Sequence, residues 1–294
     1  MTKQETTINE IARIRQADHR ARSIGVSNAL TKHLEDYAGH PITVGELNED
    51  FFFAFKDFLM QKPTVSSSSA RTYLQKLHAI VEECVQQKQL SYNPMPRISR
   101  LVPSQHTPQR TFLTTRELGK LAATPCRTPS VMQAFLLACY TGLRISDIET
   151  LQWGDLRRVN GTWMLQKSQV KTRNEVKVPL SDEAQSILRE IGWRSGGEVF
   201  SLPSRVTINA ELRRWALAAG VEKHLSFHVA RHTFATMLIN ANVGIMTVSK
   251  LCGHTRVATT EIYTHLVDST LCDGIERMSK ALRHGMRTDE PAKP

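Results

Sequence analysis

Four short stretches of this chain carry residue types and spacings suited to handling an anion. The first is TGLRISDI over 141–148. Arg144 and Asp147 lie three apart at the opening of a helix and so share a face; a carboxylate beside a guanidinium would fix its direction. On a solvated surface the same pair would be an ion pair of little energetic weight. The second is HVARH over 228–232, which sets His228, Arg231 and His232 on one helical face. Two histidines at i and i+4 can hold zinc. Here Val229 stands where a zinc protease needs its glutamate base, and Arg231 would repel a cation from the same face, so phosphate fits better than a metal. The third is LCGH over 251–254, in which Gly253 suits a helix C-terminus and His254 projects from the turn after it. The fourth is TTEIYTH over 259–265, which places Tyr263 on a short helix nine positions after His254. A tyrosine alone is ordinarily core or surface; only the company of the other groups singles it out.

The elements that must position these groups are mostly helical. Residues 23–96 read as helices, with Leu30, Leu34 and Tyr37 at helical spacing before a Gly39-His40-Pro41 break. Thr43 to Glu46 has the form of a capping box opening the next helix, which carries Phe51, Phe52, Phe55, Phe58 and Leu59. A serine run at 66–69 leads into an apolar stripe from Tyr73 to Cys84, and Asn93-Pro94 stops that helix. Pro96, Pro103 and Pro108 mark an aperiodic basic stretch. A second capping box, Thr114 to Glu117, opens the following domain, with helices expected over 115–123 and 129–141. Alternation of apolar and polar residues between 162 and 180 predicts strands around a polar turn at 171–174. Helices are then expected over 182–191, 205–219, 227–240, 245–252, 258–266 and 269–283. The fold class is mainly α with a small β-sheet (α+β). Its expected parts are an extension (1–22), a helical domain (23–96), a linker (97–111), a larger domain (112–285) and a flexible tail (286–294).

Composition narrows the setting. Residues 1–110 carry 14 Lys+Arg against 11 Asp+Glu, while the remainder carries 24 against 17, so most of the net +10 lies in the C-terminal two-thirds. A basic protein of this size often binds a polyanion, because each neutralised phosphate releases counterions; simple solubility is the plainer use of such charge. The five cysteines, Cys84, Cys126, Cys139, Cys252 and Cys272, are odd in number and contain no CxxC pair, which argues against a disulfide framework. The N-terminal residues lack an apolar signal core and no run of eighteen apolar residues occurs, so no membrane association and a cytoplasmic location are expected.

Taken in order, Arg144 in TGLRISDIETLQW, His228 and Arg231 in SFHVARHTFATMLI, His254 in LCGH and Tyr263 in IYTHL resemble the tyrosine recombinase (phage integrase) family. The flavour is that of integrases and invertases of Bacteroides-type bacteria. The likeness covers roughly 25–285 and is strongest from 135 to 266. Lys171 in QVKTRNEVKVPL matches the family's β-hairpin lysine, with Lys167 and Lys177 close enough to compete for that assignment. LCGH replaces the commoner LLGH. Many such integrases carry an extra arm-binding domain, for which residues 1–22 are too short, so binding to separate arm sites is not expected.

The resemblance implies a SAM-like core-binding domain before a catalytic domain, and DNA cut and rejoined through a 3′-phosphotyrosine. Arg144 and Arg231 would grip the non-bridging oxygens of the phosphorane, and His254 would add a hydrogen bond. A tyrosine hydroxyl has an ordinary pKa of about 10. It therefore needs a base or a strongly cationic environment; the family implies His228 as the base, and Lys171 as the acid that the leaving 5′-oxygen needs. No cofactor or metal is needed on this scheme, because Arg and Lys supply the charge. Expected partners are double-stranded DNA bearing recombination sites, further copies forming a tetramer on synapsed DNA from a monomer in solution, and accessory DNA-bending proteins. The helix at 269–283 is an amphipathic candidate for docking on a neighbouring subunit. Integration, excision and inversion share this chemistry, as does Xer-like resolution of chromosome or plasmid dimers. A type IB topoisomerase, a zinc hydrolase and a DNA-binding protein without catalysis are the rival readings.

Overall fold

The computed structural model describes Thr7, residues 21–102 and residues 110–261. Tyr263, Cys272, the helix expected over 269–283, the tail, and nearly all of the N-terminal extension lie outside the described residues. The chain divides into two compact units, Met1–Pro108 and Gln109–Pro294.

The first unit is helical. Helix α1 (Ala21–Ala38) ends before Gly39, whose φ of +72° turns the chain back. The box at Thr43 and Glu46 is present, with both Thr43 groups donating to the Glu46 carboxylate, but it caps only a 3-10 turn, Val44–Glu46. Helix α2 (Glu49–Gln61) opens instead at Asn48, whose side chain accepts from the Phe51 amide. Asn48 is a strong cap followed by two acids in the first turn, and that combination outcompetes the earlier box. Helix α3 (Ser67–Gln86) starts at Ser66, the first of the serine run, whose hydroxyl accepts from Ser69 N, and a short helix α4 (Ile98–Leu101) follows. Leu30, Leu34, Phe52, Phe55, Leu59, Leu74, Leu77 and Val81 make the core, and Leu101 and Val102 add to it.

The second unit wraps helices around a small sheet. Helix α5 (Thr115–Ala123) begins at the Thr114–Glu117 box. Helix α6 (Pro129–Thr141) is apolar all round, and buried from Ala134 to Cys139. It ends at Gly142, with φ +70°, where a Cβ would lie 2.4 Å from the Phe234 ring. Helix α7 (Ile145–Glu149) starts immediately after it. Strands β1 (Leu156–Val159), β2 (Thr162–Ser168) and β3 (Glu175–Pro179) form an antiparallel sheet in the order β1-β2-β3. Two of these strands fall within the expected stretch. Strand β1 does not, although Asn160-Gly161, both at positive φ, is the residue pair that a two-residue hairpin demands.

Helices α8 (Asp182–Ile191), α9 (Arg205–Ala218), α10 (Phe227–Asn240), α11 (Ile245–Cys252) and α12 (Ala258–Glu261) complete the described unit. Helix α10 lies along α6. Phe135 on α6 meets both Trp215 and Phe227 edge-on with ring centroids 5.8 Å apart. Thr233 on α10 accepts from the Leu113 amide and donates to Val229 O, tying the start of the unit to its centre. Cys84, Cys139 and Cys252 are buried free thiols. No helix among the described residues is long and apolar enough to cross a membrane.

Candidate active site

Arg144 stands at the N-cap of α7, in extended backbone (φ −76°, ψ 158°). Its side chain therefore leaves the helix rather than running along it. The sequence places Asp147 beside that guanidinium; the structure does not. Asp147 is fully buried, and its carboxylate accepts from two backbone amides, Arg144 N at 3.3 Å and Val170 N at 2.8 Å. Capping the helix and anchoring the β2–β3 turn occupies that carboxylate. The guanidinium is held by Gln169, whose Oε1 accepts from Arg144 Nη1 at 2.7 Å.

Arg231 is only 5% exposed. Its Nη1 donates to Gly142 O at 2.6 Å and its Nη2 to Cys252 O at 2.5 Å. These two carbonyls end helices α6 and α11, where intrahelical partners run out. A guanidinium donating to both fits the negative ends of two helix dipoles. The same Cys252 carbonyl accepts from Gln169 Nε2 at 3.0 Å. Arg144 and Arg231 are thus joined through one amide and one carbonyl.

The histidines differ in depth. His228 is exposed on the first turn of α10, and His232, four residues on, is half-buried. Burial first, then the charges of Arg110, His228 and Arg231, push the His232 pKa down to about 4. His254 follows Gly253, which ends α11 at φ +63°. Its Nδ1 lies 2.7 Å from the hydroxyl of the buried Thr260. Burial, then Arg231 and Arg144, lower its pKa to about 4 as well. Both guanidiniums are therefore near enough to disfavour a third positive charge there.

The three lysines separate cleanly. Lys167 points inward from β2, 9% exposed, and bonds Thr150 O at 2.7 Å and Asp155 Oδ2 at 2.8 Å. Lys177 lies exposed on β3 beside Glu175 at 3.3 Å. Lys171 is exposed in the turn between the strands. Among the described residues, no three His, Cys, Asp or Glu side chains group as a metal site would require.

Sequence reasoning missed Gln169 and Thr260. A signal for Gln169 exists: it continues, one residue past β2, the buried alternation of Leu165 and Lys167. A polar side chain continuing a buried stripe must find polar partners inside.

Residues 111–270 match the family described as the phage integrase family, and residues 6–101 match the phage integrase SAM-like domain. A tyrosine recombinase of Thermosipho africanus is 30% identical over 201 residues, covering 63% of this chain and 67% of that protein. Two solved structures share the fold. The Tn1549 transposon integrase in complex with transposon right end DNA aligns with a TM-score of 0.74 at 17% identity, covering 93% of this chain and all of that one. A lambda integrase tetramer bound to a Holliday junction aligns with a TM-score of 0.67 at 18% identity, covering 88% and 78%. With the family match spanning more than half of its length, this chain belongs to the phage integrase family of tyrosine recombinases.

Proposed function

We propose that this site-specific recombinase cleaves DNA by attack of Tyr263 on a scissile phosphodiester gripped by Arg144 and Arg231. The observation that carries the reading is the pair of guanidiniums tied together through Gln169 and the Cys252 carbonyl, with His254 under the influence of both charges. Two bidentate donors held in a protected site stabilise the charge that builds on a phosphorane. Tyr263 lies within the matched family span, nine residues beyond His254.

The step balances as follows. The tyrosine oxygen forms a bond to phosphorus while the bond to the 5′-oxygen breaks. His228 takes the phenolic proton, and Lys171 gives one to the departing 5′-oxygen. The 3′-phosphotyrosine keeps the energy of the diester, so a new 5′-hydroxyl reverses the reaction without ATP. His254 would donate to a non-bridging oxygen from Nε2, in the tautomer whose Nδ1 accepts from the Thr260 hydroxyl 2.7 Å away. Lys171 is favoured over Lys167 as the acid, because Lys167 is committed to Asp155 and Thr150.

The domains at 23–96 and 112–285 would each bind double-stranded DNA at a recombination site, as core-binding and catalytic domains. The relatives' DNA complexes support such binding and assembly as a multimer, with a homo-tetramer on synapsed sites as the working form. Accessory DNA-bending proteins would assist, in a cytoplasmic setting. Direct or inverted repeats flanking the gene would separate resolution, excision and inversion.

A nicked DNA site, which releases the short strand after cleavage, is expected to trap a covalent protein–DNA adduct. Tyr263→Phe should retain DNA binding in a mobility-shift assay and form no adduct. An adduct persisting in that variant overturns the assignment.

A further inference from the structure

We infer that Gln169 is a positioning residue for the cleavage step: it sets the direction of the Arg144 guanidinium and couples it to the carbonyl that also holds Arg231. The inference rests on the reading above that Arg144 grips the phosphate. Gln169, the first residue past β2, is 1% exposed and continues the buried alternation of Leu165 and Lys167. Its Oε1 accepts from Arg144 Nη1 and from the Thr172 hydroxyl, both at 2.7 Å. Its Nε2 donates to Cys252 O at 3.0 Å. Chemistry fixes which way the amide faces. A guanidinium only donates and a carbonyl only accepts, so the reversed amide would set donor against donor and acceptor against acceptor.

Backbone bonds hold Gln169 itself. Its N–H donates to Asn174 O and its carbonyl accepts from Arg173 N, both at 2.9 Å, closing the turn that contains Lys171. Gly253 makes the space: a Cβ there would lie 2.7 Å from Gln169 Nε2 and 2.4 Å from Val176. Arg144 needs such a guide. Asp147 is spent on backbone amides, and among the described residues Gln169 is the side chain that accepts from the guanidinium. Arg231, by contrast, is aimed by two backbone carbonyls. A neutral amide leaves the full charge of Arg144 for the phosphate, where a carboxylate would cancel it.

The test is single-turnover cleavage of nicked DNA at saturating enzyme, with DNA affinity and melting temperature measured alongside. Gln169→Met keeps the length and removes the hydrogen bonds. It is expected to slow cleavage about 10- to 100-fold with DNA affinity within about threefold of the parent. Added to Arg144→Ala, the same change is expected to cost less than about threefold, because the group it positions is gone. Parental cleavage by Gln169→Met overturns the inference, and so does an equal loss in both backgrounds, which marks a purely structural role. If Gln169→Met fails to fold, Gln169→Glu carries the same cycle: it preserves size, sets a carboxylate between the guanidinium and the carbonyl, and should slow cleavage at least as much. Parental cleavage by Gln169→Glu also overturns the inference. Arg144→Ala alone distinguishes the two levels. If it cleaves normally, the assignment of Arg144 fails; if it loses cleavage while Gln169→Met does not, only the role of Gln169 fails.

Discussion

The catalytic unit holds its cationic groups in two different ways. Around Arg231 and Gln169 the side chains are buried and bonded: two helix-ending carbonyls, one amide and the guanidiniums of Arg144 and Arg231 form a connected set. At the β2–β3 turn and the first turn of α10, Lys171 and His228 stand exposed. The groups proposed to grip phosphate are preorganised before DNA arrives; those proposed to move protons lie where DNA and solvent can reach them. Preorganised donors cost no reorganisation at the moment of reaction, whereas an acid and a base must meet atoms that arrive with the substrate. Fixed geometry and access are thus divided between neighbouring segments of one unit.

The sharpest way to break that comparison is to remove the buried cation. Arg231→Ala should lower single-turnover cleavage by more than about 10³-fold, since one lost oxyanion donor alone costs roughly 10²–10³. It should also destabilise the fold by about 2–4 kcal/mol, because Gly142 O and Cys252 O lose a buried donor. Arg144→Ala should show a similar chemical loss and a far smaller drop in melting temperature, as Arg144 is half-buried and bonds one amide. Equal melting temperatures for the two variants would refute the idea that Arg231 is structural as well as chemical.

Much of this site is legible in the sequence, and the part that is not has a common cause. Arg144, His228, Arg231 and His254 stand out because their types are unusual on those helices. The helix bounds of α5, α6, α8 and α11 follow from caps and periodicity, which are local. The Asp147 partner and the role of Gln169 are not local. Spacing of three puts Asp147 near Arg144, yet the N-cap backbone turns the guanidinium away, and Val170, twenty-three residues on, claims the carboxylate. Gln169 finds Cys252 eighty-three residues away. Strand β1 was readable from Asn160-Gly161, but Leu156 to Val159 offers one buried residue in four and so no alternation.

A second test sets a lysine inside β2 against one in the turn that follows it. Lys171→Ala should slow cleavage by about 10²-fold or more, the usual contribution of a general acid, without moving the melting temperature. A substrate with sulfur in place of the 5′-bridging oxygen should erase most of that loss, because a thiolate leaves without a proton. Lys167→Met should do the reverse: near-parental cleavage, and a stability loss of about 1–3 kcal/mol from breaking the pair with Asp155. If Lys167→Met is instead the variant rescued by sulfur, the acid is Lys167 and the division between committed and accessible lysines is wrong.

The smallest effect concerns the two half-buried histidines and needs no DNA. His254 and His232 have folded pKa values near 4, below the 6.5 of an unfolded chain, so the folded protein keeps both neutral through the mildly acidic range. The unfolded chain takes up protons there and the folded one does not. Their contribution to stability is therefore complete above pH 6.5 and is lost as pH falls toward 4, at up to about 1.4 kcal/mol per pH unit for each histidine. Urea unfolding at pH 7.5 and 5.5 should show a loss of about 1 kcal/mol per histidine. His254→Gln should remove the share of His254, and His232→Gln that of His232. A slope untouched by His254→Gln would mean that this ring is neither desolvated nor pressed by Arg231 and Arg144 in the folded protein, and that the cluster around it is open to water.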